Sequence, residues 1–193
     1  MLKLGITGNI ASGKSQAQSV FKGLSIPVID ADEIVNSLYS DKNFALKAEE
    51  KFFKYKITND GKVDKNLLLK IIFDDLNFKK EFEKFVHTFV LSEIEKFFSL
   101  NLSENIVVAS VPLLFETEWE KYFDKILLIT ADDEIRLERL MKRNSLSKGQ
   151  ALIRVNSQMP QDKKIKKADF VIENNSSLEE LNEKIKVFVG SLK

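Results

Sequence analysis

The sequence predicts an α/β fold, a five-stranded parallel sheet with helices on both faces. Three observations lead to it. Five short apolar runs, at residues 2–7, 27–30, 106–110, 126–130 and 170–172, read as strands. They are nearly continuous in apolar residues, as strands buried on both faces are. Helical patterns separate them, and alternation of strand and helix is the mark of a parallel sheet. A glycine-rich segment, residues 8–15, joins the first run to the first helical stretch.

That segment reads Gly8, Asn9, Ile10, Ala11, Ser12, Gly13, Lys14, Ser15. It fits G-x-x-x-x-G-K-[ST] at every fixed position. The apolar run before it and the helical residues 16–21 after it supply the context that a phosphate-binding P-loop requires. Such a loop turns backbone N–H groups around phosphate oxygens at the positive end of a helix. Gly8 and Gly13 permit backbone angles and a close approach that a Cβ would block. Lys14 is expected at the β- and γ-phosphates, and Ser15 is expected to hold Mg²⁺ through its hydroxyl. The fold class is therefore a P-loop NTPase-type three-layer fold, and the ligand a nucleoside triphosphate with Mg²⁺.

The second strand ends in Val28-Ile29-Asp30-Ala31-Asp32. Ligands of open α/β sheets lie outside the carboxyl ends of the strands. A carboxylate there can orient an acceptor hydroxyl and take its proton, and acidic groups help to surround Mg²⁺. An aspartate before a helix is also a common N-cap. Of the two, Asp32 is the preferred base.

Residues 31–105 are mostly helical. Phe78, Phe82, Phe85, Phe89 and Phe97, with Val86, Val90 and Ile94, keep helical spacing and read as a core stripe. Asn59-Asp60-Gly61 reads as a turn between helices. By fold analogy, an insertion after the second strand is where a kinase of this architecture carries its acceptor-binding helices.

After the fourth strand comes a basic helix. The chain has 30 lysines and arginines, but its only arginines are Arg136, Arg139, Arg143 and Arg154. Their confinement to one short stretch points to a need for the planar guanidinium fork, which grips phosphate in a way that lysine does not. Arg136, Arg139 and Arg143 share a helix face. They suit a lid over a triphosphate, at about residues 134–165, with Arg139 and Arg143 the leading phosphate ligands. The other reading is a solvated basic helix paired with Asp132, Asp133, Glu134 and Glu138. Residues 145–149 are expected to be the flexible crown of the lid, hinged at Gly149. The last helix starts near Ser177, with Glu180 completing a capping-box pattern. Its apolar face, Leu178, Leu181, Ile185 and Phe188, is for packing.

At 193 residues the chain is expected to be one domain with a sizeable core. A net charge of +1 gives no bulk attraction to nucleic acid or membrane. Cysteine is absent, which excludes disulfides and thiolate metal sites, and a single histidine excludes a histidine-rich one. No signal-peptide pattern opens the chain, and no apolar run has the length of a membrane span. The cytoplasm is the expected compartment, and a monomer or small homo-oligomer the expected state.

Together these residues resemble the dephospho-coenzyme A kinase family over nearly the whole chain. The P-loop is shared by many kinases. More specific are residues 28–32, Pro112-Leu-Leu-Phe-Glu116 after the third strand, Arg139-Leu-Met-Lys-Arg143, Arg154 followed by Gln158, and residues 168–174 ending in Asn174. The resemblance implies phosphorylation of the ribose 3′-hydroxyl of dephospho-coenzyme A by ATP, the last step of coenzyme A synthesis. It implies that Asp32 meets the acceptor hydroxyl, that Lys14 and Ser15 serve ATP and Mg²⁺, and that Arg139 is the lid arginine near the transferring phosphate. It places Asn174 near the adenine, and His87, Arg154 and the hydroxyl of Thr7 with the substrate. The chain departs from the family at Asn9 and Ala11, where a small residue or glycine is usual. It departs also at Thr88 after His87, at Lys65 after Asp64, and at Arg136, where glutamine is common. None of these is Lys14, Ser15, Asp32 or Arg139, so an active enzyme is expected. The competing readings are a kinase of another small molecule, a nucleotide-dependent switch and an inactive homologue. The first is opposed by residues 28–32 and 112–116, the second by the lack of an Asn-Lys-x-Asp segment, and the third by the intact Lys14, Ser15, Asp32 and Arg139.

Overall fold

The structure, a computed structural model, describes residues 1–192. It contains the expected sheet. Strands β1 (Leu2–Gly8), β2 (Val28–Asp30), β5 (Ile106–Ser110), β6 (Lys125–Thr130) and β7 (Phe170–Glu173) lie in the order β2-β5-β1-β6-β7. All pair in parallel. The connection leaving β1 runs out to β2 on one side, while β6 leads to β7 on the other. The carboxyl end of β1 is thus the switch point, where open sheets of this kind bind ligands.

The chain forms two compact units, residues 1–30 with 98–193 and residues 31–97. In the first, helices α1 (Lys14–Gly23) and α9 (Leu178–Ser191) pack on one face of the sheet. Leu4, Ile6, Phe21, Leu127, Leu181 and Ile185 form the heart of that core and are at most 1% exposed. The other face needs Gly5. A Cβ there would stand 2.8 Å from Leu114 and 3.0 Å from Phe123. Phe123 in turn meets Phe98 edge to face at 6.1 Å.

This unit also holds α6 (Asp133–Asn144), α7 (Lys148–Asn156) and α8 (Gln161–Ile165). Between α6 and α7 the chain turns at Ser145, which takes the left-handed conformation at φ 51°. Ser147 then caps α7 in a full capping box with Gln150. The hinge expected at Gly149 is not where the chain bends. Gly149 lies in the first turn of α7 with open space around it, because the Ser147 cap starts the helix before it.

The second unit holds α2 (Ala31–Ser40), α3 (Lys42–Lys51), α4 (Lys65–Asp74) and the greater part of α5 (Leu76–Leu100). The phenylalanine stripe of α5 is core, as expected. Phe82 is 1% exposed and Phe78 3%. Phe44 and Phe52 of the same unit pack on Phe85 at 5.4 and 5.5 Å between ring centres. Helices α3 and α4 start on carboxylate caps. Asp41 accepts from Phe44 N–H at 2.7 Å, and Asp64 from Asn66 and Leu67. Asn59-Asp60-Gly61 proves to be the tip of a hairpin rather than a turn between helices. Strands β3 (Thr58–Asn59) and β4 (Lys62–Val63) flank Asp60 and Gly61, both at positive φ. Asp-Gly is the two-residue loop that matches strand twist. Strands of two residues are too short to leave an alternating pattern in the sequence.

Candidate active site

The phosphate loop begins where β1 ends. Gly8 is required there, since a Cβ would stand 2.5 Å from Ser12 Oγ and 2.6 Å from the Ile129 carbonyl oxygen. Ala11 sits at φ 62° and Gly13 at 105°, left-handed conformations that reverse the loop. Gly13 is the N-cap of α1, and no side chain closes that end. The first amides of α1 are therefore left to face an anion. Two other amides of the loop are committed elsewhere. Ser12 N–H donates to the Asn9 carbonyl at 3.0 Å. Ile10 N–H donates to Gln158 Oε1 at 2.7 Å, which removes it from the expected cradle.

Lys14 reaches the ends of two neighbouring strands. Its Nζ lies 2.5 Å from Ser110 Oγ, at the end of β5, and 3.3 Å from Asp30 Oδ2, at the end of β2. Both side chains of the Lys14–Asp30 pair are largely buried. The Gln18 amide, from α1, also donates to Asp30. Sequence reading singled out Asp30 but missed Ser110 and Gln18. Ser110 had a signal, a lone polar residue at the end of the apolar run that marks a buried strand; Gln18, among the polar residues of α1, had none. Asp32 is exposed, in the first turn of α2. An anionic side chain suits that position in the helix dipole.

Among the described residues, no three carboxylates or histidines gather to hold a metal by themselves. Mg²⁺ ordinarily keeps several waters and takes one or two protein oxygens beside those of a phosphate, so it does not require such a cluster. Ser15 and Asp30 carry oxygens of the kind it takes, and Asp30 is here engaged by Lys14 and Gln18.

The arginines divide. Arg139 Nη1 and Nη2 donate to the carbonyls of Asn174 and Ser176 at 3.0 and 3.4 Å. Its guanidinium is engaged with the loop after β7, where the sequence reading had it near the transferring phosphate. Asn174 is buried, and its Nδ2 donates to the Ser12 carbonyl at 2.8 Å, bracing the phosphate loop from behind. Asn175 and Asp132 exchange two further bonds at 2.8 and 2.9 Å, so the start of α6 is tied to the same loop. Arg143 and Arg154 are exposed, the former bonded to Asn144 Oδ1 at 3.0 Å. Arg136 does not share their surroundings. It is 2% exposed and paired with Asp133 at 2.6 Å. The shared arginine face expected of α6 is therefore only partly present, because Arg136 lies with Leu140 on the buried side of the helix.

Thr7 is fully buried and its hydroxyl donates to the Pro112 carbonyl at 3.2 Å. That bond holds the end of β1 to the segment after β5, a structural task for this hydroxyl. Lys164 Nζ reaches the same carbonyl at 3.4 Å and Glu116 Oε1 at 2.8 Å, with its side chain wholly buried. This ion pair was not foreseen. Glu116 was noticed only as part of a resemblance, and Lys164 is one of many lysines. In the second unit His87 is half-buried. Burial pushes its imidazole below the ordinary value and the Glu83 carboxylate partly offsets this. Burial, with help from Glu83, lifts the Tyr39 phenol to about 12.

The model of the dephospho-CoA kinase family matches residues 2–180. The chain belongs to the dephospho-CoA kinase family. A dephospho-CoA kinase of Listeria innocua is 36% identical over 191 residues, covering 96% of this chain and 94% of that one. Among solved structures, TT1252 from Thermus thermophilus superposes with a TM-score of 0.84 at 33% identity, covering 100% of this chain and 98% of the other. A dephospho-CoA kinase from Campylobacter jejuni gives 0.69 at 27% identity, covering 99% and 97%.

Proposed function

We propose that this chain carries out its family's reaction, transfer of the γ-phosphoryl group of ATP to the ribose 3′-hydroxyl of dephospho-coenzyme A, giving coenzyme A and ADP. One observation carries the reading. In a chain that matches the family over residues 2–180, the P-loop lysine stands at the switch point of the sheet, on Ser110 and Asp30.

The uncapped start of α1 and the backbone of Gly8–Ser15 receive the phosphates, and Lys14 turns from Asp30 and Ser110 to the β- and γ-oxygens. Mg²⁺, when bound, neutralises phosphate charge, and the Ser15 hydroxyl and the Asp30 carboxylate are the groups to hold it. Asp32 stands two residues beyond Asp30 in the chain and orients the acceptor hydroxyl. As the 3′-oxygen bonds to the γ-phosphorus, the bond from that phosphorus to the bridging oxygen of ADP breaks, and the hydroxyl proton passes to Asp32. Arg139 and Arg143 supply cationic N–H groups from the lid. The two carbonyl bonds of Arg139 use two of its five donors. Asn174 borders the adenine, and His87 and Arg154 attend the acceptor. The partners are small molecules, in the cytoplasm, and the enzyme works as a monomer or small homo-oligomer.

A coupled ADP-release assay with ATP, Mg²⁺ and dephospho-coenzyme A, followed by mass spectrometry, tests the reaction. A product heavier by one phosphate, formed only with Mg²⁺, is expected; ADP release with no such product rejects it. Asp32→Asn should bind ATP as before and lose roughly 10²–10⁴-fold in turnover, the usual range for a general base. Turnover within a few-fold of the parent protein removes Asp32 from that role.

A further inference from the structure

The phosphate loop is fastened from outside by the returning end of the lid. Helix α7 ends at Asn156 and α8 starts after Pro160, which leaves Gln158 and Met159 between them. Gln158 Oε1 accepts from Ile10 N–H at 2.7 Å, and Asn9 Nδ2 donates to the Met159 carbonyl at 2.9 Å. From the other side, Met159 N–H donates to Glu116 Oε1 at 3.0 Å. Glu116 is itself fixed by the buried Lys164 at 2.8 Å. Two successive residues of the lid's return are thus clamped between the phosphate loop and a buried ion pair. A residue before proline is disfavoured in the helical region, so the Met159 carbonyl needs a partner other than a helix, and Asn9 supplies it.

Asn9 is the unusual member of this set. A phosphate cradle is made of backbone, and any residue at position 9 would supply that. Its side chain is nonetheless buried, 3% exposed, with Oδ1 among the buried atoms that lack a partner. Burying an amide that is only partly satisfied is costly, so the position must gain from the bond that Nδ2 does make. The expected glycine or small residue would make no such bond. We propose that Asn9 is a positioning residue. Its amide latches the return of the lid onto the phosphate loop, sets the lid's resting position, and so keeps water from the γ-phosphoryl group. This rests on reading residues 134–165 as the lid of a kinase.

The test uses the full chain with Asn9→Ala and with Asn9→Asp, which keeps the shape and loses the donor. Amide hydrogen exchange of the ligand-free proteins should rise about three- to tenfold in residues 145–159, as expected for one neutral hydrogen bond, and stay unchanged in the strands. ATP hydrolysed per acceptor phosphorylated should rise by a similar factor, with a smaller change in the KM for ATP. Unchanged exchange in residues 145–159 overturns the latch whatever the activity. Raised exchange with an unchanged hydrolysis ratio overturns the positioning role, since a merely structural bond would behave so. Gln158→Ala, which removes the parallel bond to Ile10, should loosen the same residues, and parent-like exchange there counts against the clamp even if the Asn9 variants fold poorly. Exchange does not depend on the reaction. If the variants loosen but the parent phosphorylates no dephospho-coenzyme A, the kinase reading fails and the clamp stands.

Discussion

Gly13 and Gly149 show how much a residue's surroundings decide. Both are glycines beside a helix start, and from the sequence alone both could be points of flexibility. Gly13 has φ 105°, and a Cβ would stand 2.2 Å from Asn174 Nδ2. Gly149 lies inside α7 with nothing near it. Gly13→Ala should therefore destabilise by about 1–3 kcal/mol through backbone strain alone, with a further loss from displacing Asn174, and should weaken ATP binding. Gly149→Ala should stabilise by about 0.4–1 kcal/mol by restricting the unfolded chain. Urea unfolding of both variants checks this, and a stabilising Gly13→Ala would contradict the geometry of the loop. The motif made Gly13, Lys14 and Ser15 legible in advance. It did not reveal Ser110, because that partner's identity depends on which strand ends the sheet order brings together, nor Gln18, whose pairing depends on where α1 lies against β2.

For the elements, strand positions were readable because buried parallel strands leave continuous apolar runs. The hairpin β3–β4 was not, being too short to carry a period. Helix α6 was legible as arginine-rich, but its attachments and those of the segment after α7 were not, since most of them join a side chain to a backbone group that any residue supplies. Those attachments define what can move. The first half of α6 is tied to residues 174–176 through Arg139 and through the Asp132–Asn175 pair. The return of the lid is tied at Gln158 and Met159. If residues 134–165 act as a lid, these ties confine its closure to the end of α6 and to α7. Arg139 bridges two carbonyls with one planar fork, a geometry that a lysine does not reproduce. Arg139→Ala should cost about 1.5–3 kcal/mol, the worth of a hydrogen bond from a charged donor. Arg139→Lys should recover less than half of that, and should raise the KM for ATP. Equal stability of Arg139→Lys and the parent protein in urea unfolding would remove the clamp.

For the whole molecule, composition decides which pH range tests the fold. The chain has one histidine and no cysteine. His87 is therefore its only side chain whose ordinary pKa lies between pH 5 and 8. Burial lowers that pKa from 6.5, against a smaller opposing pull from Glu83. The sign follows from linkage. Between the lowered native value and 6.5 the unfolded chain binds the proton that the folded one refuses, so stability rises with pH across that interval. On acidification from pH 7.5, stability should begin to fall as the pH passes 6.5. The fall ends once the pH is below the native value, where both states are protonated. His87→Asn should abolish this component without touching the carboxylates, which titrate in the unfolded chain nearer pH 4. Thermal melting of the two proteins at pH 7.5 and 5.5 measures it directly. The parent should lose more on acidification than His87→Asn does. Equal losses would mean that His87 is as accessible to protons in the folded chain as in the unfolded one, and would place it on the surface of α5 rather than half inside it.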